Sequence, residues 1–337
     1  MKRAGHLFER IVERENLRHA FHRAARGKRD RSDARIFAGD LENNLQEIAR
    51  QLLAGTFPLG RFHQFVIRDP KQRIITAPCF PERVLHHAIM RVCEPVFERW
   101  LIDDTFACRT GKGRDAALLR AKQFAGRFPA FLKLDIRKYF DSISHEVLLD
   151  RLTRLFKDRR LLHLFERIIT SFRSDAGRGL PIGSLVSQHF ANFYLGWGDR
   201  FVKETLRVRG YVRYMDDMSL WSDSPSRMKA MLAVYKEFFQ VELQLDLKPE
   251  PYINRTAHGM DFLGCRVFRG HITLNRRSKV RYRRKLKTLE AEYNTGELSA
   301  AELQQRADSL TAFTQTAGVS SWQFRRRVLQ QLAVDGR

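Results

Sequence analysis

The chain has 337 residues, of which 43% are apolar, so it is long and hydrophobic enough to bury a core, and wholesale disorder is excluded. Its 61 Lys and Arg against 38 Asp and Glu give a formal net charge of +23, which attracts polyanions and makes nucleic acid the leading candidate partner. No run of about 20 apolar residues that could span a bilayer occurs, and the charged N-terminal residues lack the apolar segment of a secretory signal. We therefore expect a cytoplasmic protein without a membrane partner.

The first half of the chain predicts helices interrupted by two β segments. Residues 1–55 have leucines at helical spacing and predict basic, amphipathic helices. Residues 62–77 predict a hairpin, because two β-rich runs flank an Asp-Pro-Lys turn, and residues 82–100 predict another helix. The short alternating run Phe131–Ile136 predicts a strand, and Ser144 is the expected N-cap of the helix that follows it.

The second half predicts strand pairs and then a basic helical tail. Residues 211–221 predict two strands that meet at an acidic tip, and residues 261–274 predict a short hairpin that turns at an Arg-Gly pair. From Ser278 onward the chain is intensely basic and helical, and a further helix should begin at a capping box formed by Ser299 and Glu302. We expect this tail to be a small helical appendage with a phosphate-binding face.

Three acids stand out in this basic chain because they lie on apolar strands. Asp135 ends the run Phe131–Leu134, where a buried acid is costly unless it is paired. Asp216 and Asp217 lie at the acidic tip, where a tight turn aims both carboxylates at one place; alone, this pair also fits an ordinary solvated turn. Close carboxylates repel one another unless a cation neutralises them, and oxygen ligands select hard Mg²⁺. The set predicts a site for two Mg²⁺ ions about 3.5–4 Å apart, with Mn²⁺ as a substitute.

Four segments, taken in order, resemble the palm motifs of reverse transcriptases. They are residues 131–145 (FLKLDIRKYFDSISH), 179–195 (GLPIGSLVSQHFANFYL), 211–221 (YVRYMDDMSLW) and 259–268 (GMDFLGCRVF). Upstream, IRDPKQRII and ACRTGKGRDAALLR look like the fingers motifs of the bacterial branch. The resemblance covers roughly residues 60–270, and the ordered set is far more specific than any one motif.

The resemblance implies an α+β, right-hand polymerase fold with an antiparallel palm sheet, mostly helical fingers plus a hairpin, and a small helical thumb. It places the fingers and palm, the reverse transcriptase core, in residues 1–270 and the basic helical thumb in residues 271–337. The implied activity is RNA-directed DNA polymerisation. In this reaction one metal ion activates the attacking 3′-hydroxyl, and the other holds the triphosphate and stabilises the leaving pyrophosphate.

Residue roles carry over position by position. The two metal ions are implied to be bound by Asp135, Asp216 and Asp217. The aromatic face of Phe140 is implied to be a steric gate that clashes with a ribose 2′-hydroxyl and so selects deoxynucleotides. Lys71 and Arg73 are implied to clamp the incoming triphosphate, and Arg73 is favoured because a guanidinium binds phosphate bidentately.

Two further groups are implied to contact nucleic acid. The template and the nascent base pair are implied to lie against Ser187, Gln188 and Asn192. The resemblance also implies a primer grip, the element that holds the primer strand, at Phe262, Leu263 and Gly264. The basic tail from Lys279 onward resembles the thumb.

The segment Gly179–Gln188 discriminates among reverse transcriptases. Many of them carry Gln-Gly and Ser-Pro where this chain has Ile182-Gly183 and Ser187-Gln188. The Ile-Gly-x-x-x-Ser-Gln pattern looks like the enzymes of diversity-generating retroelements, which copy a template-repeat RNA with frequent errors at adenines, so that the mutated cDNA diversifies a target gene. An Ile at position 182 removes a hydrogen-bonding check that a Gln would supply near the nascent pair. Plain packing of the pocket by Ile182 is the alternative.

The resemblance implies template RNA, a cDNA primer and deoxynucleoside triphosphates (dNTPs) as partners. Because the thumb is short, it also implies a basic, oligomeric accessory protein, the accessory variability determinant. Two alternatives stay open. One is a phage-defence or other bacterial reverse transcriptase. The other is a catalytically inactive RNA-binding scaffold, which the charge of +23 would serve equally well but which has no need of three costly acids.

Overall fold

The computed structural model describes residues 2–68, 72–249 and 251–332, and its contacts divide the chain into two compact units. The first unit comprises Met1–Arg109, Ile136–Thr205 and Ala233–Lys248. The second comprises Thr110–Asp135, Leu206–Leu232 and Pro249–Arg337. The boundary predicted at residue 270, between the fingers with palm and the thumb, stays a prediction. Among the described residues, no helix combines the length and the hydropathy that crossing a bilayer requires.

Residues 1–109 form helices before and after one β-hairpin. The helices before the hairpin are α1 (Phe8–Val12), α2 (Arg14–Ala25), α3 (Ser32–Gly39) and α4 (Leu41–Leu53). The hairpin pairs β1 (Phe62–Ile67) with β2 (Arg73–Pro78) in an antiparallel register, and α5 (Phe80–Trp100) follows it. These elements confirm the predicted helices and hairpin. The Asp-Pro-Lys turn lies outside the described residues.

The next elements belong to the two units in turn. Helix α6 (Arg114–Arg127) and strand β3 (Ala130–Leu134) belong to the second unit. The first unit then continues with α7 (Tyr139–Ser142), α8 (His145–Leu155), α9 (Arg159–Thr170), α10 (Leu185–Arg200) and a π-helical turn, Phe201–Thr205. The Ser144 hydroxyl accepts a 3.4 Å hydrogen bond from the Val147 amide, which confirms the predicted N-cap of α8.

The remaining strands and the basic tail follow. The strands are β4 (Gly210–Tyr214), β5 (Asp217–Ser222), β6 (Tyr252–Arg255), β7 (Met260–Phe262), β8 (Cys265–Val267) and β9 (Ile272–Leu274). The helices are α11 (Pro225–Glu242), α12 (Arg276–Asn294), α13 (Ala300–Ala312) and α14 (Gly318–Leu332). The predicted capping box is present at the start of α13: the Ser299 hydroxyl accepts from the Glu302 amide, and the Glu302 carboxylate accepts from the Ser299 amide.

A four-stranded antiparallel sheet in the order β4-β5-β3-β6 lies in the second unit. Strand β3 is interior to this sheet, so Phe131, Leu132 and Leu134 are buried, as a short apolar run predicts. Helix α6 packs against β4 and β5, and the rings of Phe124 and Trp221 lie 5.6 Å apart at this interface. Helices packed on a small antiparallel sheet confirm the predicted α+β class.

The segment predicted as one hairpin over residues 261–274 is instead a three-stranded antiparallel sheet in the order β7-β8-β9. The prediction was wrong because it recognised only the turn near Arg269 and Gly270. An earlier turn at Gly264, which has φ 81°, separates Phe262 from its paired residue Cys265. Glycine adopts this left-handed conformation at no steric cost, so a single Gly between β-rich residues was the missed signal.

Candidate active site

The three predicted metal ligands lie at one end of the four-stranded sheet. Asp217 is the first residue of β5, Asp216 belongs to the two-residue turn between β4 and β5, and Asp135 directly follows β3. The antiparallel register pairs Leu134 with Met218, so Asp135 and Asp217 are the next residues along these two strands. Strand pairing therefore brings together acids that are far apart in the sequence.

The turn between β4 and β5 is tight and strained. Its first residue, Met215, has φ 54°, a left-handed conformation that non-glycine residues seldom adopt. Arg213 is fully buried, and its Nη1 donates a 3.0 Å hydrogen bond to the Met215 carbonyl. Because a strained backbone persists only where its surroundings hold it, we infer that Arg213 helps to keep the adjacent acids on this turn.

The electrostatics of the acidic edge show that its carboxylates interact. Burial, and to a smaller extent the nearby charges of Asp135 and Asp216, raise the pKa of Asp217, which is about 6. The Lys133 ammonium lowers the pKa of Asp217, because its Nζ lies 2.9 Å from Oδ1 and 3.2 Å from Oδ2. Asp135 and Asp216 are thus each close enough to repel the Asp217 carboxylate.

The chemistry of these acids fits a divalent cation. The three carboxylates supply the hard oxygen ligands that Mg²⁺ prefers, and a cation beside Asp217 would offset its repulsion by Asp135 and Asp216. Across residues 2–68, 72–249 and 251–332, no group of three or more His, Cys, Asp or Glu side chains is arranged so that it could hold a metal ion. In this conformation the positive charge beside Asp217 is the Lys133 ammonium.

Lys133 also connects the acidic edge to strand β7. Its Nζ donates a 2.6 Å hydrogen bond to the Asp261 carbonyl and lies 5.4 Å from the centre of the Phe262 ring. The sequence reasoning missed Lys133. Side chains two residues apart on a strand point to the same face, so its position two residues before Asp135 was an available signal.

The predicted primer-grip residues form the turn between β7 and β8. Phe262 is buried at the end of β7, while Leu263 (φ 48°) and Gly264 (φ 81°) are both left-handed, as in two-residue hairpin turns of type I′. A side chain at Gly264 would lie 2.9 Å from both the Phe313 ring and the Ser278 hydroxyl. Conformation and space therefore both require glycine at this position.

Three of the predicted nucleotide-binding residues, Arg73, Phe140 and Ile182, lie in the first unit. Arg73 is exposed at the start of β2, and Lys71 lies outside the described residues. The Ile182 carbonyl accepts a 2.7 Å hydrogen bond from the Thr76 amide, which brings the loop before α10 against β2. Phe140 is half-buried in α7. The structure thus joins the strand that carries Arg73 to Ile182, through the backbone.

The predicted template contacts lie on α10, also in the first unit. Ser187 and Asn192 are 2% and 1% exposed, and the Asn192 side-chain amide donates a 2.9 Å hydrogen bond to the Ala107 carbonyl. Gln188 is half-buried, with its Oε1 3.7 Å from the Cys108 sulfur. Gln188 is therefore the most accessible of the three, and their contact with a template stays a prediction.

Residues 68–267 match the family described as reverse transcriptase (RNA-dependent DNA polymerase), and this match spans more than half of the chain. The chain therefore belongs to the reverse transcriptase family. Together with the antiparallel sheets and their packed helices, this membership confirms the predicted right-hand polymerase fold class.

Two curated relatives and one solved structure are similar to parts of the chain. The group II intron-encoded protein LtrA of Lactococcus lactis subsp. cremoris is 25% identical over 173 residues, which are 49% of this chain and 29% of LtrA. Nuclear intron maturase 4, mitochondrial, of Arabidopsis thaliana is 28% identical over 169 residues, which are 48% of this chain and 21% of the maturase. The solved structure is telomerase from Candida albicans in complex with a TWJ fragment of telomeric RNA. The structural alignment covers 87% of this chain and 57% of the telomerase chain, with a TM-score of 0.49 and 12% sequence identity. The chain spans less than a third of the length of either curated relative.

Proposed function

We propose that this chain is an RNA-directed DNA polymerase that extends a primer along an RNA template, with two Mg²⁺ ions held by Asp135, Asp216 and Asp217. The observation that carries the proposal is the gathering of three carboxylates at one edge of an antiparallel sheet, where Asp135 and Asp216 both act electrostatically on Asp217. Membership of the reverse transcriptase family supports it. When bound, the ions would supply activation of the 3′-hydroxyl and neutralisation of the leaving pyrophosphate.

The chain's own residues would then perform the binding and the orientation. Lys133 favours the ionised form of Asp217, because its ammonium lowers the pKa of this carboxyl. The β7–β8 turn holds the primer strand, and the exposed guanidinium of Arg73 binds the triphosphate of the incoming dNTP, with Lys71 as its predicted companion. Phe140 is the gate against ribonucleotides.

The test is cDNA synthesis by the purified full chain on a primed RNA with dNTPs and Mg²⁺. We expect extension, and we expect Asp216→Asn to lower its rate at least about a hundredfold, the scale on which the loss of one electrostatic stabiliser acts. Asp103→Asn is the matched control, because Asp103 also belongs to an Asp-Asp pair but is exposed in the first unit. Equal rates for the two variants, or no product from the wild type even with cell extract added, would contradict the proposal.

We further propose that the chain belongs to a diversity-generating retroelement and copies its RNA with frequent errors at adenines. The support is the sequence Ile182-Gly183 with Ser187-Gln188, together with the placement of the Ile182 loop against β2. An isoleucine offers no directional hydrogen bond to check pair geometry. The proposed partners are a template-repeat RNA and a basic, oligomeric accessory variability determinant.

The error spectrum of the cDNA tests this subtype. We expect errors opposite template adenine in the wild type and fewer of them in Ile182→Gln. An unchanged adenine error rate in this variant would exclude the role of Ile182. Accurate or template-free products from the wild type would instead favour a phage-defence enzyme.

A further inference from the structure

The guanidinium of Arg114, the first residue of α6, lies against two other segments of the second unit. Its Nε donates a 3.0 Å hydrogen bond to the Leu263 carbonyl, and its Nη2 lies 3.1 Å from the Cys265 sulfur. Its Nη1 donates to the Phe313 carbonyl at 3.1 Å and to the Thr316 hydroxyl at 3.2 Å. Its central carbon lies 4.1 Å from the centre of the Phe313 ring. One side chain therefore joins α6, the β7–β8 turn and the connection between α13 and α14.

A surface ion pair does not account for this arrangement. Arg114 pairs with Asp115 at 3.0 Å, but the Asp115 side chain is 64% exposed, and an exposed pair of this kind contributes little. The Arg114 side chain is only 20% exposed, and its other donors point at groups from remote segments. A planar guanidinium with five donors reaches acceptors in several directions at once, which a lysine ammonium on a flexible stem does less well.

The turn that Arg114 contacts needs external support. Leu263 is left-handed without being glycine, and such a conformation persists only where the surroundings hold it. Arg114 binds the carbonyl of this strained residue. Gly264, next to it, lets the Phe313 ring approach to a distance that a side chain would block. The turn and the Phe313 segment are thus held together by a hydrogen-bonded guanidinium and by close packing.

We propose that Arg114 is a positioning residue that locks the β7–β8 turn to the helical tail, so that both keep one position relative to the sheet that carries Asp216 and Asp217. The inference rests on the proposed function, because it takes this turn as the grip on the primer. Helix α6 packs against β4 and β5, so Arg114 reaches the turn from a helix already seated on that sheet. Loss of Arg114 weakens primer binding and leaves dNTP binding unchanged.

The first experiment measures the affinity of the full chain for a labelled RNA–DNA primer–template hybrid by fluorescence anisotropy, without dNTPs. We expect Arg114→Met to weaken binding about tenfold, because two carbonyl acceptors lose a charged donor, and Arg114→Lys to restore part of this loss. The KM for dNTP at saturating hybrid should not change in either variant. Arg120→Met is the control, since Arg120 lies on the same helix and contacts Gln123 at 3.1 Å and the Phe124 ring.

The second experiment is hydrogen exchange of the backbone amides, which does not depend on polymerase activity. In Arg114→Lys, exchange should accelerate together at residues 262–265 and 313–316, while α6 stays protected. Acceleration in only one of these segments, or an Arg114→Met affinity equal to that of Arg120→Met, would overturn the inference. A wild-type chain that binds the hybrid but never extends it would contradict the proposed function, and the exchange result would still decide whether Arg114 couples the two segments.

Discussion

Each unit contains a carboxylate whose pKa is raised by burial, and the two are held differently. In the second unit, Asp217 has a pKa of about 6, with the Lys133 ammonium 2.9 Å away and two other acids nearby. In the first unit, Glu82 on α5 has a pKa of about 7, is 1% exposed and accepts a 3.0 Å hydrogen bond from the Gly60 amide. Beside it, burial lowers the pKa of His86 to about 3, so this neighbour is neutral.

A raised pKa therefore does not identify a functional site by itself. The pKa of Glu82 is raised by burial, its neighbour His86 is neutral, and its protonated form is favoured up to about pH 7, which suits a structural role between α5 and the segment before β1. Asp217 stands among charges of both signs at the edge of a sheet, where a cation can replace the ammonium. The surroundings of the carboxylate, and not the size of its pKa shift, separate the two roles.

The largest expected difference between the two carboxylates is in catalysis. Asp217→Asn should lower primer extension at least about a hundredfold, whereas Glu82→Gln should extend at close to the wild-type rate. At pH 8 the Asp217→Asn variant should unfold at the same temperature as the wild type or higher, because the folded state disfavours this charge. Extension assays and thermal unfolding on the same preparations measure both effects.

The effect of Mg²⁺ on thermal unfolding provides the control for the difference in extension between Asp217→Asn and Glu82→Gln. Adding the ion should raise the unfolding temperature of the wild type and of Glu82→Gln, since a ligand that binds only the folded state stabilises it. It should leave Asp217→Asn nearly unchanged. A large loss of extension in Glu82→Gln at an unchanged unfolding temperature would show that the separation of roles is wrong.

The second effect is a pH dependence of stability that belongs to Glu82. Its pKa rises from 4.5 in the unfolded chain to about 7 in the folded one, so the folded state binds this proton more tightly. The free energy of unfolding therefore falls as pH rises from about 4.5 to about 7, by up to roughly 3 kcal/mol, and is flat above that range. Glu82→Gln, which can still accept the Gly60 hydrogen bond, should not show this fall.

Urea unfolding of the wild type and Glu82→Gln between pH 5 and pH 8 checks this prediction. The lowered pKa of His86 changes the free energy of unfolding in the opposite direction. Because the folded state holds this histidine neutral, the protein loses stability as the pH falls. The dependence of the wild-type unfolding free energy on pH therefore combines both groups. The difference in unfolding free energy between the wild type and Glu82→Gln gives the contribution of Glu82 alone. Parallel curves would mean that Glu82 is ionised in the folded state.

Much of the fold and the acidic set could be predicted from local patterns, and the groups that support the site could not. The sequence pattern identifies the acids because each of them ends or begins an apolar run. The alternation typical of a strand and the turn between two such runs indicate Asp135, Asp216 and Asp217. The partners of Lys133 and Arg114 lie 84 and 149 residues away, and only the folded chain brings them together. The extra turn at Gly264 was missed because its strands are only three residues long.

The smallest expected effect concerns the Lys133 ammonium, the charged neighbour of Asp217, where Glu82 has the neutral His86 beside it. Lys133 lowers the pKa of Asp217, so Lys133→Met should raise this pKa above about 6 and leave more of the carboxyl protonated near neutral pH. A protonated carboxyl binds Mg²⁺ poorly. The Mg²⁺ concentration for half-maximal extension should rise about threefold at pH 6.5, because a rise of one pKa unit lowers the ionised fraction from about three quarters to about one quarter, and the defect should nearly vanish at pH 8.5.

Lys133→Arg is the matched control, because it keeps a positive charge two residues before Asp135. It should retain the wild-type Mg²⁺ requirement at both pH values. A defect in Lys133→Met that is equal at pH 6.5 and 8.5 would assign Lys133 to its other contact, the Asp261 carbonyl of β7. Lys133 would then place the primer-grip strand, and the ionisation of Asp217 would depend on the metal ions alone.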